Sequence, residues 1–331
     1  MKQNQEFTVS VAPMMDWTDR HCRWFHRQLS TCLGLYTEMV VADAVIHGPR
    51  DRLLSFDEIE HPVVLQIGGS DPAKLAAASK IGENYGYDAI NINIGCPSDR
   101  VQSGRFGACL MAEPQLVSEC FEAMQMAVSI PVTVKCRLGI DDQDIEETLP
   151  VFLETVSNAG CETFIIHARK AWLKGLSPKE NRDVPPLNYD LVRRMKAGFP
   201  HLNIELNGGL TDISNSLEET QSLDGFMLGR AAYHTPWILT EVDEKVFDQE
   251  SASFRRDDII PLLVGYLKNI EDKDRSAKAM LRHVMGLYSG EPGARTWRRA
   301  LSEGASSQEK PSNVLENAYK SYQQFLRKSA A

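Results

Sequence analysis

The 331-residue chain has no long hydrophobic run, no CxxC pair, no GxGxxG and no surplus of positive charge, and each absence excludes a class of protein. No stretch approaches the roughly eighteen apolar residues of a membrane span. The opening residues MKQNQEF carry no apolar signal segment, so a soluble cytoplasmic protein without membrane association is expected. The cysteines number seven and are scattered at 22, 32, 96, 109, 120, 136 and 161. An odd, unclustered set argues against a disulfide framework or a zinc site, and free thiols with no bound metal are expected. Lys and Arg total 36 against 45 Asp and Glu, a net charge of -9. That balance excludes a protein coated in nucleic acid but not a local basic surface. The deficit lies in the first 240 residues, because residues 241 to 331 carry 15 basic against 14 acidic side chains.

What the chain does contain is alternation. Eight β-rich runs recur: FTVSVAP (7 to 13), LGLYTEMV (33 to 40), PVVLQIGG (62 to 69), DAININIG (88 to 95), PVTVKCRLG (131 to 139), TFIIHAR (163 to 169), NIELNGG (203 to 209) and GFMLGRA (225 to 231). Segments of helical periodicity lie between them, such as 72 to 86, 114 to 129 and 145 to 160. Eight strands alternating with helices predict a (β/α)₈ TIM barrel. TVSVAPM stands where a dinucleotide-binding fold would carry its glycine fingerprint. Beyond residue 240 the β pattern ends and helical segments follow, which predicts a barrel over 1 to 240 and an all-helical domain over 241 to 331. The Gly-Pro segment 290 to 293 and the Ser-rich 302 to 312 read as turns.

In such a barrel the active site lies at the carboxyl ends of the strands. Those ends carry Pro13-Met14, Glu38-Met39, Gln66, Asn93 with Cys96, Lys135 and Arg137, His167 and Arg169, Asn207-Gly208-Gly209, and Gly229-Arg230. Any one of them alone reads as a loop cap; together they converge on one face. The NGG and GRA endings of strands seven and eight offer unobstructed backbone amides and a guanidinium where these barrels commonly bind phosphate. With Lys135 and His167 on strands five and six, a phosphorylated cofactor across the mouth is suggested, and FMN fits. Lys135 would stabilise charge developing on the flavin pyrimidine edge, unless it is a surface or salt-bridged lysine. Gln66 could hydrogen-bond the ring, and the backbone at Pro13, Met14 and Met15 could floor it.

Cys96 then has a task. Most free cysteines are inert buried hydrophobes, and the other six read that way, but Cys96 sits between Gly and Pro at a chain reversal. A thiol, with an ordinary pKa of about 8.5, could give a proton to one substrate carbon while a flavin delivers hydride to its neighbour. Elsewhere, ARTWRRAL (294 to 301) puts Arg295 and Arg298 on one helix face, either a solvated surface or an RNA footprint. The polar loop 173 to 187 adds Lys174, Lys179 and Arg182.

The segments VAPMMDWTDRHCRWF, LYTEMVVADAVIHG, NINIGCPSDRVQSGRFGACLM, VKCRLGIDD, FIIHARKAWLKGLSPKENRDVPPL, ELNGG and MLGRAAY closely resemble tRNA-dihydrouridine synthases over nearly the whole chain. SPKENR and ARTWRR favour the A subfamily, which acts on positions 20 and 20a. The resemblance implies an FMN-binding barrel with a carboxyl-terminal helical tRNA-binding domain; a monomer is expected. It implies an FMN site at Pro13, Met14, Met15, Gln66, Lys135, His167, Asn207, Gly208, Gly209, Gly229 and Arg230. It makes Cys96 the general acid, puts tRNA on Asn93, Lys179, Arg182, Arg295 and Arg298, and supplies electrons from NADPH. The competing readings are an FMN-dependent free-pyrimidine reductase or dihydroorotate-type dehydrogenase, and an RNA-binding module with an idle flavin site.

Overall fold

Among the residues the computed structural model describes, 7–249 and 255–330, nine strands form one parallel sheet. Eight of them close a barrel: β1 Thr8–Val11, β2 Gly34–Tyr36, β3 Val63–Gly68, β4 Ala89–Ile94, β5 Val132–Arg137, β6 Thr163–His167, β7 Asn203–Asn207 and β8 Gly225–Leu228. Closure comes from β1 against β8, with Val9 opposite Phe226, and from β2 against β3, with Tyr36 opposite Val64. The ninth strand, Val40–Val41, pairs beside the end of β3. Each strand lies between neighbours and under helices, so both faces need apolar residues, and runs such as VVLQIG are buried throughout.

The crossover helices start and stop on local chemistry. Helix Pro72–Tyr85 begins where the Asp71 carboxylate accepts from the Ala73 and Lys74 amides, with proline at its first position, and ends at Gly86 with φ 96°. Inside the barrel, Ala12, Tyr36, Val64, Ile165 and Met227 form an apolar plug, with Met14 packed against it. Glu205 of β7 is also buried there. It reaches the Thr8 hydroxyl past Gly225, the residue in register with both.

The compact bodies do not follow the boundary at residue 240. The barrel unit consists of the chain up to Asp16 and Leu33–Gly229; the helical unit consists of Trp17–Cys32 and everything from Arg230 onward. The reason is the packing of helix Arg20–Leu29. Its Trp24 stacks on Tyr266, 4.1 Å between ring centroids, and His21 hydrogen-bonds Tyr266 at 2.8 Å and Ser276 at 2.9 Å. Asp19 caps this helix through the His21 and Cys22 amides and bonds His283 at 2.9 Å. In the same unit Trp297 is fully buried and donates to the Val284 carbonyl. The Ser-rich stretch expected as a turn differs at its start: helix Ala294–Ala305 runs through Ser302, because Leu301 still packs in the core. No described helix is long and apolar enough to cross a membrane.

Candidate active site

Strand β4 stops at Ile94 because Asn93 turns the chain. Its Oδ1 accepts the amides of Gly95 at 3.0 Å and Cys96 at 2.9 Å, and Pro97 cannot continue a ladder. On the other side the Cys96 carbonyl accepts from the Ala108 amide at 2.9 Å. Residue 107 must be glycine here: φ is 75°, and a Cβ would lie 2.6 Å from that carbonyl. Cys96 is half-buried, with its sulfur 3.6 Å from the Ser98 hydroxyl. All seven cysteines are free. Cys22, Cys120, Cys136 and Cys161 are buried, while Cys32 and Cys109, read from sequence as buried, are half-exposed.

Beneath the turn a row of buried amides runs head to tail. Asn93 Nδ2 donates to Gln66 Oε1, Gln66 Nε2 to Asn91 Oδ1, and Asn91 Nδ2 to the Thr133 hydroxyl, each at 2.8 Å. Every carbonyl accepts from the mouth side and every amino group donates toward the floor, so one orientation satisfies the whole row. Gln66 and Asn93 each keep one N–H beyond those bonds. Asn93, expected to touch tRNA, is 8% exposed and holds the Cys96 turn.

Cations line the rest of the mouth. Lys135 Nζ donates to Asn207 Oδ1 at 2.9 Å, and Asn207 Nδ2 donates to the Met227 carbonyl at 2.7 Å. Burial, and secondarily Arg137, lower the Lys135 pKa to about 8. His167 is held well below its ordinary pKa by desolvation and by Arg137, Lys135, Arg169 and Arg182, so it stays neutral at pH 7 with a hydrogen-bonding nitrogen. A concentration of positive charge in an acidic protein favours an anionic ligand.

The glycines complete the cradle. Gly208 and Gly209 have φ of 103° and 75°; a Cβ on Gly208 would meet the His167 ring at 2.5 Å, and one on Gly209 would meet Leu187 at 2.5 Å. Tyr189 donates to the Gly208 carbonyl at 2.6 Å, while the two glycine amides find no acceptor among the described residues. Above Gly229 the space is open. Pro13 and Met14 are half-buried at the end of β1, and Met15 is exposed. Unused amides, open space and cations fit a phosphate-bearing flavin. Arg230, the last residue expected in that site, opens the short helix Arg230–His234 and belongs to the helical unit.

Lys179 and Arg182 are exposed on the loop that follows β6. In the helical unit Arg295 and Arg298 share the exposed face of helix Ala294–Ala305. Neither has an ion-pair partner among the described residues, whereas the neighbouring Arg299 binds Glu303 at 2.7 Å.

Residues 10–324 match the family model described as dihydrouridine synthase (Dus), which covers both units. The chain belongs to the dihydrouridine synthase family. It is similar to the tRNA-dihydrouridine(20/20a) synthase of Xanthomonas campestris, 54% identical over 90% of this chain and 88% of the relative. It is similar to the protein of the same name from Shewanella oneidensis, 50% identical over 98% of this chain and 96% of the relative. The Escherichia coli K12 protein of that name is 53% identical over 94% of this chain and 90% of its own length.

Two side chains of this dihydrouridine synthase that the sequence reading gave no task sit against the Cys96 turn. Arg137 of β5, 3% exposed, donates through Nε to the Gly95 carbonyl at 3.0 Å. Gln102 donates to the Pro97 carbonyl at 2.8 Å. No residue type is required of a backbone acceptor, so neither contact has a sequence signature.

Proposed function

We propose that this protein reduces uridine to 5,6-dihydrouridine in tRNA, at positions 20 and 20a of the D-loop, using FMN in the barrel mouth and NADPH as the reductant. The observation that carries the reading is the Cys96 thiol, held by backbone contacts on both sides at a cationic mouth whose glycine amides are unused. Relatives that share one name and align along nearly the whole chain support it.

FMN, when bound, supplies the hydride for C6 of the uracil and takes its electrons from NADPH. The protein's own residues do the rest. Gly208, Gly209 and Gly229 would hold the phosphate, and Lys135 would face the electron-rich edge of the ring. The remaining N–H of Gln66 is suited to a ring acceptor, and Pro13, Met14 and Met15 border the site. His167, kept neutral, adds a hydrogen bond without a second full charge beside Lys135. Cys96 gives its proton to C5, completing saturation of the 5,6 bond.

The target base must leave the tRNA stack to reach the mouth, at a cost of a few kcal/mol. The loop bearing Lys179 and Arg182 and the helix bearing Arg295 and Arg298 contact the phosphates, so recognition is by shape and charge. Asn93, which holds the Cys96 turn, has one N–H left to offer the base. The barrel unit is the catalytic body and the helical unit the tRNA-binding body, in a cytoplasmic monomer. A free-pyrimidine reductase would leave the two unpaired arginines without a task.

The test is position-mapped dihydrouridine formation on unmodified tRNA with the purified protein, FMN and NADPH. Product at positions 20 and 20a is expected. NADPH oxidation by flavin-loaded protein without product in tRNA would overturn the reading in favour of a free base.

A further inference from the structure

The carbonyls on either side of Cys96 are both tied to the loop that follows β6. Arg137 donates through Nε to Gly95 O, and its NH1 nitrogen donates to the carbonyls of Lys170 at 3.0 Å and Asn181 at 2.8 Å. Gln102 Nε2 donates to Pro97 O at 2.8 Å and to Leu173 O at 2.9 Å. One side chain thus bridges from the residue before the thiol and another from the residue after it. The loop is itself braced, because Asn181 is buried and exchanges hydrogen bonds with the Trp172 backbone at 2.7 and 2.8 Å. Leu173 N also donates to Asp141 at 2.8 Å. The Cys96 turn and the loop carrying Lys179 and Arg182 are therefore joined as one body.

We infer that Arg137 and Gln102 are positioning residues, which make the placement of the Cys96 thiol depend on the loop after β6. This deepens the proposed function and rests on it, since that loop is the one read as meeting tRNA. Docking of RNA on Lys179 and Arg182 then presses on the same body that aims the thiol. Proton delivery is sensitive to such placement: a displacement of about 1 Å costs on the order of 100-fold in rate. The clamp acts on backbone carbonyls, so it constrains position without contributing a group to the reaction.

The variant to test first is Gln102→Ala, because Gln102 is half-exposed and its loss leaves no buried charge. Arg137→Lys is the second, keeping the charge while a single ammonium cannot span three carbonyls. The flavin-loaded proteins are compared by the rate at which iodoacetamide alkylates Cys96, read by mass spectrometry with and without tRNA, and by kcat and KM for tRNA. In both variants Cys96 alkylation is expected to rise several-fold without tRNA. The kcat should fall about tenfold or more with KM changed far less, and flavin absorbance and its bleaching by NADPH should be retained. Alkylation rates and kcat equal to the parent protein in Gln102→Ala and in Arg137→Lys would overturn the inference. A drop confined to KM would overturn it too, since it would place the two side chains in RNA binding alone. If the parent protein makes no dihydrouridine, the proposed function fails, and the tRNA-free alkylation rates still decide whether the clamp positions the thiol.

Discussion

Lys135 and Asn207 are joined across the mouth by a 2.9 Å hydrogen bond, and the asparagine is held for it by its own bond to the Met227 carbonyl. The lysine is thereby presented from β5 with its pKa lowered to about 8, chiefly by burial. It is charged below that pH and neutral above it, so an anionic ligand should bind less tightly as pH rises past about 8. FMN affinity, titrated by fluorescence quenching between about pH 6.5 and 9.5, should fall roughly tenfold, about 1.4 kcal/mol. In Lys135→Met the affinity should be lower throughout and this step should disappear. A step of equal size in that variant would assign it to another group.

Cys96→Ala should bind FMN and accept electrons from NADPH like the parent, because the turn is held by main-chain bonds that alanine keeps. Dihydrouridine formation should drop by about 10²- to 10⁴-fold, the usual contribution of a positioned acid. Normal turnover would remove the thiol from the mechanism.

Arg295 and Arg298 are exposed and unpaired among the described residues, while Arg299 is engaged by Glu303. Replacing the first two with alanine should weaken tRNA binding and reduce the slope of log affinity against log salt by roughly 2, one for each phosphate no longer neutralised. Arg299→Ala should change the slope little. Filter binding over a series of salt concentrations distinguishes them, and equal slopes for all the proteins would refute the footprint.

Glu205 is buried in the barrel, and desolvation raises its pKa from 4.5 to about 7. The folded state therefore holds a proton that the unfolded state has already lost. The stability present below pH 4.5 should decline as pH rises toward 7 and beyond, by on the order of 3 kcal/mol at most. Glu205→Gln should flatten that decline and be the more stable protein at about pH 8. Urea midpoints measured from about pH 5 to pH 9 decide, and parallel curves for the two proteins would sink the assignment.

The barrel was legible because its eight runs are short, apolar and separated by helix-sized segments, and because most of them end in a polar group that packing does not explain. Cys96 stood out for the same reason. What stayed hidden depends on partners far along the chain. Arg137 and Gln102 bind main-chain oxygens, which leave no mark on the acceptors' identity. Glu205 would read as an outward residue of NIELNGG; it is tolerated inside only where Gly225, side by side with it in register, lets it reach Thr8. Helix Arg20–Leu29 follows the first strand as any crossover would. Nothing in its ten residues says that its apolar face belongs to Tyr266, more than two hundred residues later.

That helix imposes an order on synthesis. It leaves the ribosome early, yet the rest of its unit begins about 200 residues later at Arg230, a wait of roughly 10 to 40 s at typical elongation rates. During that interval the barrel's own strands are made, while Tyr266 and Ser276, which His21 of this helix bonds, do not yet exist. Five of its ten residues are arginine or histidine, which keeps the waiting segment hydrated until its partners arrive. A gene fragment starting at Arg230 would express the remaining helices without their first member.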